Sequence, residues 1–170
     1  RGRFSISRGA KTAAHIVLVE LSSGDCRGYG ECVPYARYGE SCDSVIEQVE
    51  SLRKDVRQGM DRLQLQQKLP PGAARNALDC AFWDLQAKTS RHRVWEMLRL
   101  PAMQPLLTAY TLSLDSPENM HKAALEHADR PLLKLKLAGE GDIERVRGVR
   151  NAAPNARLIV DANEGWDLDK

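Results

Sequence analysis

The sequence is poor in several things that would have narrowed its role at once. Aromatic residues make up 5% of the 170. The short basic stretches RGR at Arg1 and KLK at Lys134 are too few, without aromatic interleaving, to form a nucleic-acid surface. The formal net charge is +2, from 25 Lys and Arg against 23 Asp and Glu. No excess of one sign is available to hold a polyanion or a membrane surface. No apolar run approaches the roughly 20 residues of a membrane span. The opening RGRFSISRG has no apolar leader core, so a cytoplasmic protein is expected. It also has no initiator Met, which points to a trimmed N-terminus. Cysteine is sparse: Cys26, Cys32, Cys42 and Cys80 form no CxxC and stand at no zinc-finger spacing from a histidine. Reduced, mostly buried thiols are expected rather than disulfides.

What remains is ordinary for a globular protein, with 42% hydrophobic and 28% charged residues. Arg3 to Ser7 alternates apolar and polar residues as a strand does. Ala13 to Leu21 carries Ile16, Val17 and Val19, and a turn signal at Ser22-Ser23-Gly24-Asp25 precedes a return over Cys26 to Cys32. These segments predict a three-stranded antiparallel meander. Helices follow. Ser41 or Asp43 can cap one whose apolar positions are Val45, Val49, Leu52 and Val56, with Gly59 at its end. A short helix is expected around Leu63 to Leu69. Pro70-Pro71-Gly72 then breaks the chain before a helix over Ala73 to Lys88. Arg93 to Arg99 adds a turn or two, and Pro101 to Pro105 reads as a linker.

From there the grammar changes to strand, helix, strand, helix, strand. Leu106 to Leu114 is the first strand. Ser116 caps a helix with Pro117 at its first position. LLKLKL, Leu132 to Leu137, is the second strand, Gly141-Asp142 opens the second helix, and Arg157 to Asp161 is the third strand. Short connections of this kind mark parallel βαβ units. The fold class expected is an α+β domain over residues 1–100, then the beginning of an α/β domain over 101–170. Three parallel strands neither close a barrel nor cover both faces, so the expectation is a piece of a longer enzyme.

Lys134 and Lys136 share one face of their strand. Alone, such a pair reads as a solvated strand edge. In the middle strand of a βαβαβ run both faces should be covered. Leu133, Leu135 and Leu137 would then meet the helices, and the lysines would point inward near the C-terminal end, where α/β sites lie. Two adjacent ammonium groups depress each other's pKa, and a lysine near neutrality can act as a base. Asp161 ends the next strand. It reads equally as a loop acid or as an oxygen ligand for a hard cation such as Mg²⁺. Asn163 and Glu164 are candidates to support it from behind, though shaping of the loop is the preferred reading for both. A lysine base beside a metal carboxylate suits removal of a proton from the carbon next to a carboxylate.

The KLK of Lys134 to Lys136 and the DAN of Asp161 to Asn163 resemble the muconate-lactonising subgroup of the enolase superfamily. GECVPYARYGES (Gly30 to Ser41), ARNALDCAFWDLQAK (Ala74 to Lys88), TAYTLSLDSPENM (Thr108 to Met120) and IVDANEGW (Ile159 to Trp166) are similar to dipeptide epimerases acting on L-Ala-D/L-Glu-type dipeptides. The resemblance implies a capping domain over a modified TIM barrel, (β/α)7β, and one Mg²⁺ held by three carboxylates, with Asp161 the first. It implies Lys136 as the base, Lys134 as its neighbour on the substrate carboxylate, and Thr111 as a substrate contact. The other carboxylates and an opposite-face lysine would lie past Lys170. Arg8, Lys11, Tyr35, Arg37 and Tyr38 in the cap are candidates to meet an acidic dipeptide. Surface charge and cap packing are the preferred reading for any one of them. Asp79 and Asp84 read as structural. The implied role is recycling of peptidoglycan peptides. The oligomeric state stays open, homo-oligomer included. The rival readings are another subgroup enzyme, such as a cycloisomerase or o-succinylbenzoate synthase, and a non-catalytic binding domain.

Overall fold

The structure is a computed structural model that describes the backbone of residues 4–6 and 9–11, and residues 13–167 in full. The chain divides into two compact units, Ala14–Gln104 and a second made of Pro105–Lys170 with Arg1–Ala13.

In the first unit, strands β3 (Val17–Ser23) and β4 (Cys26–Cys32) form an antiparallel hairpin in register Val17↔Cys32 to Ser23↔Cys26. Its two-residue turn starts with Gly24 at φ 55, a conformation glycine adopts without steric cost. The helices are α1 (Cys42–Ser51), α2 (Arg53–Arg57), α3 (Arg62–Lys68), α4 (Ala73–Ser90) and α5 (Val94–Met97). Ser41 caps α1: its side chain accepts from the Ser44 N–H, and the Ser44 hydroxyl accepts from Ser41 N–H. Asp61 and Gln64 make the same reciprocal pair at α3. Helix α4 lays Ala74, Ala77, Leu78 and Ala81 on the hairpin, where Val17, Val19 and Cys32 are buried with Val45 and Leu65. Small residues on both sides let the backbones approach closely.

The first strand departs from expectation. Strand β1 (Phe4–Ile6) pairs with β2 (Gly9–Lys11) in register Phe4↔Lys11. Among the described residues the two hairpins are separate two-stranded sheets, in place of the three-stranded meander. A partner a few residues away costs somewhat less loop-closure entropy than a distant one. Three smaller differences accompany it. The expected strand from Ala13 begins only at Val17, the helix over Val45 to Val56 turns at Leu52, and the thiols are less buried than expected. All four cysteines are free, but only Cys32 is buried and Cys80 is exposed.

In the second unit, β5 (Tyr110–Leu112), β6 (Leu132–Lys136) and β7 (Arg157–Asp161) form a parallel sheet in that order. Helices α6 (Pro117–Glu126) and α7 (Asp142–Ala152) make the crossovers. Strand β5 is much shorter than the expected Leu106 to Leu114. Its pairing starts at Tyr110↔Leu133, and among the described residues no strand pairs with those before it, where Leu106 and Leu107 are exposed. Leu133, Leu135 and Leu137 are fully buried against Met120 and Ala124 of α6 and Val149 and Ala152 of α7. The leucine face of LLKLKL therefore meets the helices, and Lys134 and Lys136 take the other face.

Candidate active site

Strand pairing sets the geometry. Residues in register across parallel strands present their side chains on the same face. Thr111 aligns with Lys134, and Lys136 with Asp161. The Lys134 and Lys136 ammonium groups lie 2.9 and 2.8 Å from the same oxygen, Asp161 Oδ2. The repulsion expected between bare lysines is thus bridged by a carboxylate. Lys136 is buried at 7% exposure and Lys134 is half-buried. The Asn163 N–H donates to Asp161 Oδ1 at 3.0 Å. The Lys134 ammonium first, then that of Lys136, then the Asn163 amide hold the Asp161 carboxyl well below the usual carboxylate range.

The loop after β7 is tightly wound. Asn163 and Glu164 both have positive φ, 48° and 64°, a conformation uncommon outside glycine. The Gly165 N–H closes the turn on the Ala162 carbonyl at 2.9 Å. This turn aims the Asn163 amide at Asp161.

Arg8 lies outside the described residues, and of Lys11 only the backbone is described. Tyr35, Arg37 and Tyr38 belong to the other unit, on the loop between β4 and α1. There a 3₁₀ turn over Ala36–Tyr38 ends at Gly39 with φ 73, and Tyr35 and Tyr38 have ring centroids 6.1 Å apart. Tyr38 is 75% exposed. Glu40 holds this loop, accepting from Tyr35 N–H at 3.0 Å and from Ala73 N–H, at the start of α4, at 2.7 Å. Asp84 has the structural place expected of it, accepting from Tyr29 N–H at 2.8 Å and from Lys88 at 2.6 Å.

Sequence reasoning missed Asp142 and Arg145. Asp142 looked like a helix start, yet it is one of two buried charged residues among the described ones, the other being Lys136. Only an unusual demand for an acid just after Gly141 could have flagged it.

Could these residues hold a divalent ion? Among the described residues no three His, Cys, Asp or Glu side chains converge. Asp161 supplies one hard oxygen donor at a strand end, suited to Mg²⁺ chemistry but amounting to one ligand of several.

The mandelate racemase / muconate lactonizing enzyme N-terminal domain matches residues 1–98. The chain belongs to this family. Its first part is therefore the N-terminal capping domain of an enolase-superfamily protein. Over 165 residues it is 43% identical to the L-Ala-D/L-Glu epimerase of Escherichia coli (strain K12), covering 96% of this chain and 51% of that protein. An enolase-family structure from Agrobacterium tumefaciens, with homology to dipeptide epimerases, holds sodium and L-Ala-L-Glu. It matches at TM-score 0.92 and 51% identity, over 99% of this chain and 52% of that one. A dipeptide epimerase from Cytophaga hutchinsonii, complexed with Mg and D-Ala-L-Val, matches at TM-score 0.84 and 29% identity, over 99% and 50%. The chain spans about half the length of the relatives it matches. The Escherichia coli and Cytophaga hutchinsonii relatives are dipeptide epimerases.

Proposed function

We propose that the protein carrying this chain is a Mg²⁺-dependent epimerase of L-Ala-D/L-Glu-type dipeptides. The observation that supports it most is the Lys134–Asp161–Lys136 cluster at the C-terminal ends of adjacent parallel strands. In this reading residues 1–100 cap the site and 101–170 begin a (β/α)7β barrel.

The chemistry follows from the side chains. Lys136, buried and fixed by strand β6, takes the α-proton of the C-terminal residue on one face. It enters the step as a free amine and leaves as an ammonium. Lys134, more open to solvent, holds the substrate carboxylate as a point charge. Negative charge moves from Cα onto that carboxylate, and fixed positive charge lowers the barrier most where charge develops. Asp161 would hold the metal ion, which supplies further positive charge there. Thr111, beside Lys134 in register, offers a hydroxyl to the bound dipeptide. Return of a proton on the opposite face inverts the centre and needs a second base, for which this chain offers no third inward lysine on β5 to β7. The 170 residues alone are accordingly expected to be inactive. Arg8, Lys11, Tyr35, Arg37 and Tyr38 are the cap groups suited to a glutamate side chain. A cytoplasmic place in peptidoglycan peptide recycling fits the substrate.

The test is α-proton exchange of L-Ala-L-Glu and L-Ala-D-Glu in D₂O, followed by proton NMR with the full-length protein. Lys136→Ala should abolish exchange of one epimer, and exchange of both epimers by this variant would sink the assignment. Removal of divalent ions with EDTA should stop exchange, and added Mg²⁺ should restore it. N-acetyl-glutamate keeps the acylated nitrogen but loses the free amine, so slower exchange of it marks a true dipeptide site.

A further inference from the structure

The Asp142 carboxylate stands where the loops after three consecutive strands meet. It is 8% exposed. It accepts from Ala138 N–H at 3.1 Å and Gly139 N–H at 2.6 Å, both in the loop after β6. It accepts from the Trp166 indole at 2.8 Å, in the loop after β7. It also accepts from the Arg145 guanidinium at 3.0 Å, and Arg145 donates onward to the Asp115 carbonyl at 2.8 Å, in the loop after β5. Arg145 reaches the Glu140 carbonyl as well. Burial raises the Asp142 pKa, but the indole, the two amides and the guanidinium together outweigh it and keep the carboxyl below its usual range.

An acid at the start of a helix ordinarily serves that helix's own free amides or dipole. Here it is turned onto neighbouring loops. The loops it joins carry the candidate catalytic groups at their roots. Lys136 is two residues before Ala138, and Asp161 ends the strand that leads to Trp166. The two loops also abut, since a Cβ placed on Gly165 would stand 3.0 Å from Ala138 Cα. The Leu137 N–H donates to the Asp161 carbonyl at 3.0 Å, so the Lys136 and Asp161 backbones are tied beside the same junction.

We propose that Asp142, with Arg145, is a positioning residue that sets the separation of Lys136 and Asp161 by clamping the loops after β5, β6 and β7. The assignment rests on the epimerase reading above. Purely structural closure of the loops would lower stability alone. A positioning role lowers turnover of molecules that remain folded, because small displacements of a base from its proton are costly in rate.

The experiment uses the full-length protein and L-Ala-L-Glu in D₂O with saturating Mg²⁺. Asp142→Asn should lower kcat about tenfold or more with KM changed less than about twofold, at matched folded fraction. Trp166→Phe removes one donor from a partly exposed ring and should fold even if Asp142→Asn does not. It should lower kcat several-fold in the same pattern. The double variant should lose less than the product of the single losses, since the indole bond is one of those made to the Asp142 carboxylate. The ¹⁵N–¹H indole signal of Trp166 should shift when Asp142 is changed. Unchanged kcat in both single variants, or losses that multiply in the double variant, would overturn the positioning role alone. A wild-type protein with no exchange removes the epimerase reading, and this assignment with it.

Discussion

Gly30→Ala probes the closest approach in the first unit, where β4 lies under helix α4. A Cβ at Gly30 would stand 1.9 Å from the Ala77 carbonyl oxygen and 2.7 Å from the Ala81 nitrogen. Ordinary contact begins at 3.4 Å, so the helix must withdraw by about 1.5 Å or the strand must bend. Both obstacles are backbone, so no side chain can swing away. Overpacking of this kind costs about 1–3 kcal/mol and occasionally more. A contact this short belongs at the upper end, about 3 kcal/mol. Alanine would return roughly 0.5–1 kcal/mol of backbone entropy that glycine wastes in a strand. Steric cost therefore wins by about 2 kcal/mol. Urea unfolding followed by circular dichroism measures it. With a slope of about 2 kcal/mol per molar, the midpoint should fall by about 1 M at unchanged slope. Gly24→Ala is the comparison: nothing lies within 4 Å of its Cβ, and only its φ of 55 is unfavourable, a penalty of about 1–2 kcal/mol. An unchanged or raised midpoint for Gly30→Ala would refute the idea that close backbone approach holds α4 on the hairpin.

Asp161 and Asp142 both have carboxyl pKa values below the usual range when folded. Their stabilisation is therefore complete above about pH 4, the unfolded value, and is lost as pH falls through the folded values. Urea midpoints taken between neutral and acid pH should drop steeply below that point, and less steeply for Asp142→Asn. Asp84→Ala should cost about 1–2 kcal/mol, because it strands the Tyr29 amide. Lys88→Ala should cost less than about 1 kcal/mol, since its ion pair with Asp84 is partly exposed, and equal effects on the urea midpoint would contradict this ordering. Glu40→Ala should lower stability by about 1 kcal/mol through loss of the α4 amide bond. On the epimerase reading proposed above, it should also raise KM for the dipeptide in the full-length protein, because the loop bearing Tyr35 and Tyr38 is released.

Local chemistry made much of this chain readable in advance. Ser41 and Ser116 cap α1 and α6 as their positions predict, and the turn at Gly24 joins two strands of the expected kind. In LLKLKL a period of two separates leucines from lysines, and burial of the leucines against α6 and α7 follows from that alternation. Lys134, Lys136 and Asp161 were legible as a group because βαβ connectivity brings successive strand ends together. Pairing partners were less legible. Nothing in FSI distinguishes Gly9–Lys11 from a more distant strand, and the short pairing of β5 depends on where β6 begins.

What the sequence determined alone is the set of periodicities, caps and turns, because these depend on neighbours within a few residues. It also determined which side chains share a face of a strand. Tertiary structure decided what those faces meet. Asp161 proved to be the carboxylate between the two lysines. Asp142, an ordinary acid at a helix start, became the acceptor for groups 3 to 24 residues away. Charge at such a point acquires meaning only when distant loops close around it. The energy of a buried carboxylate depends on the donors that surround it, and those donors are assembled by the fold.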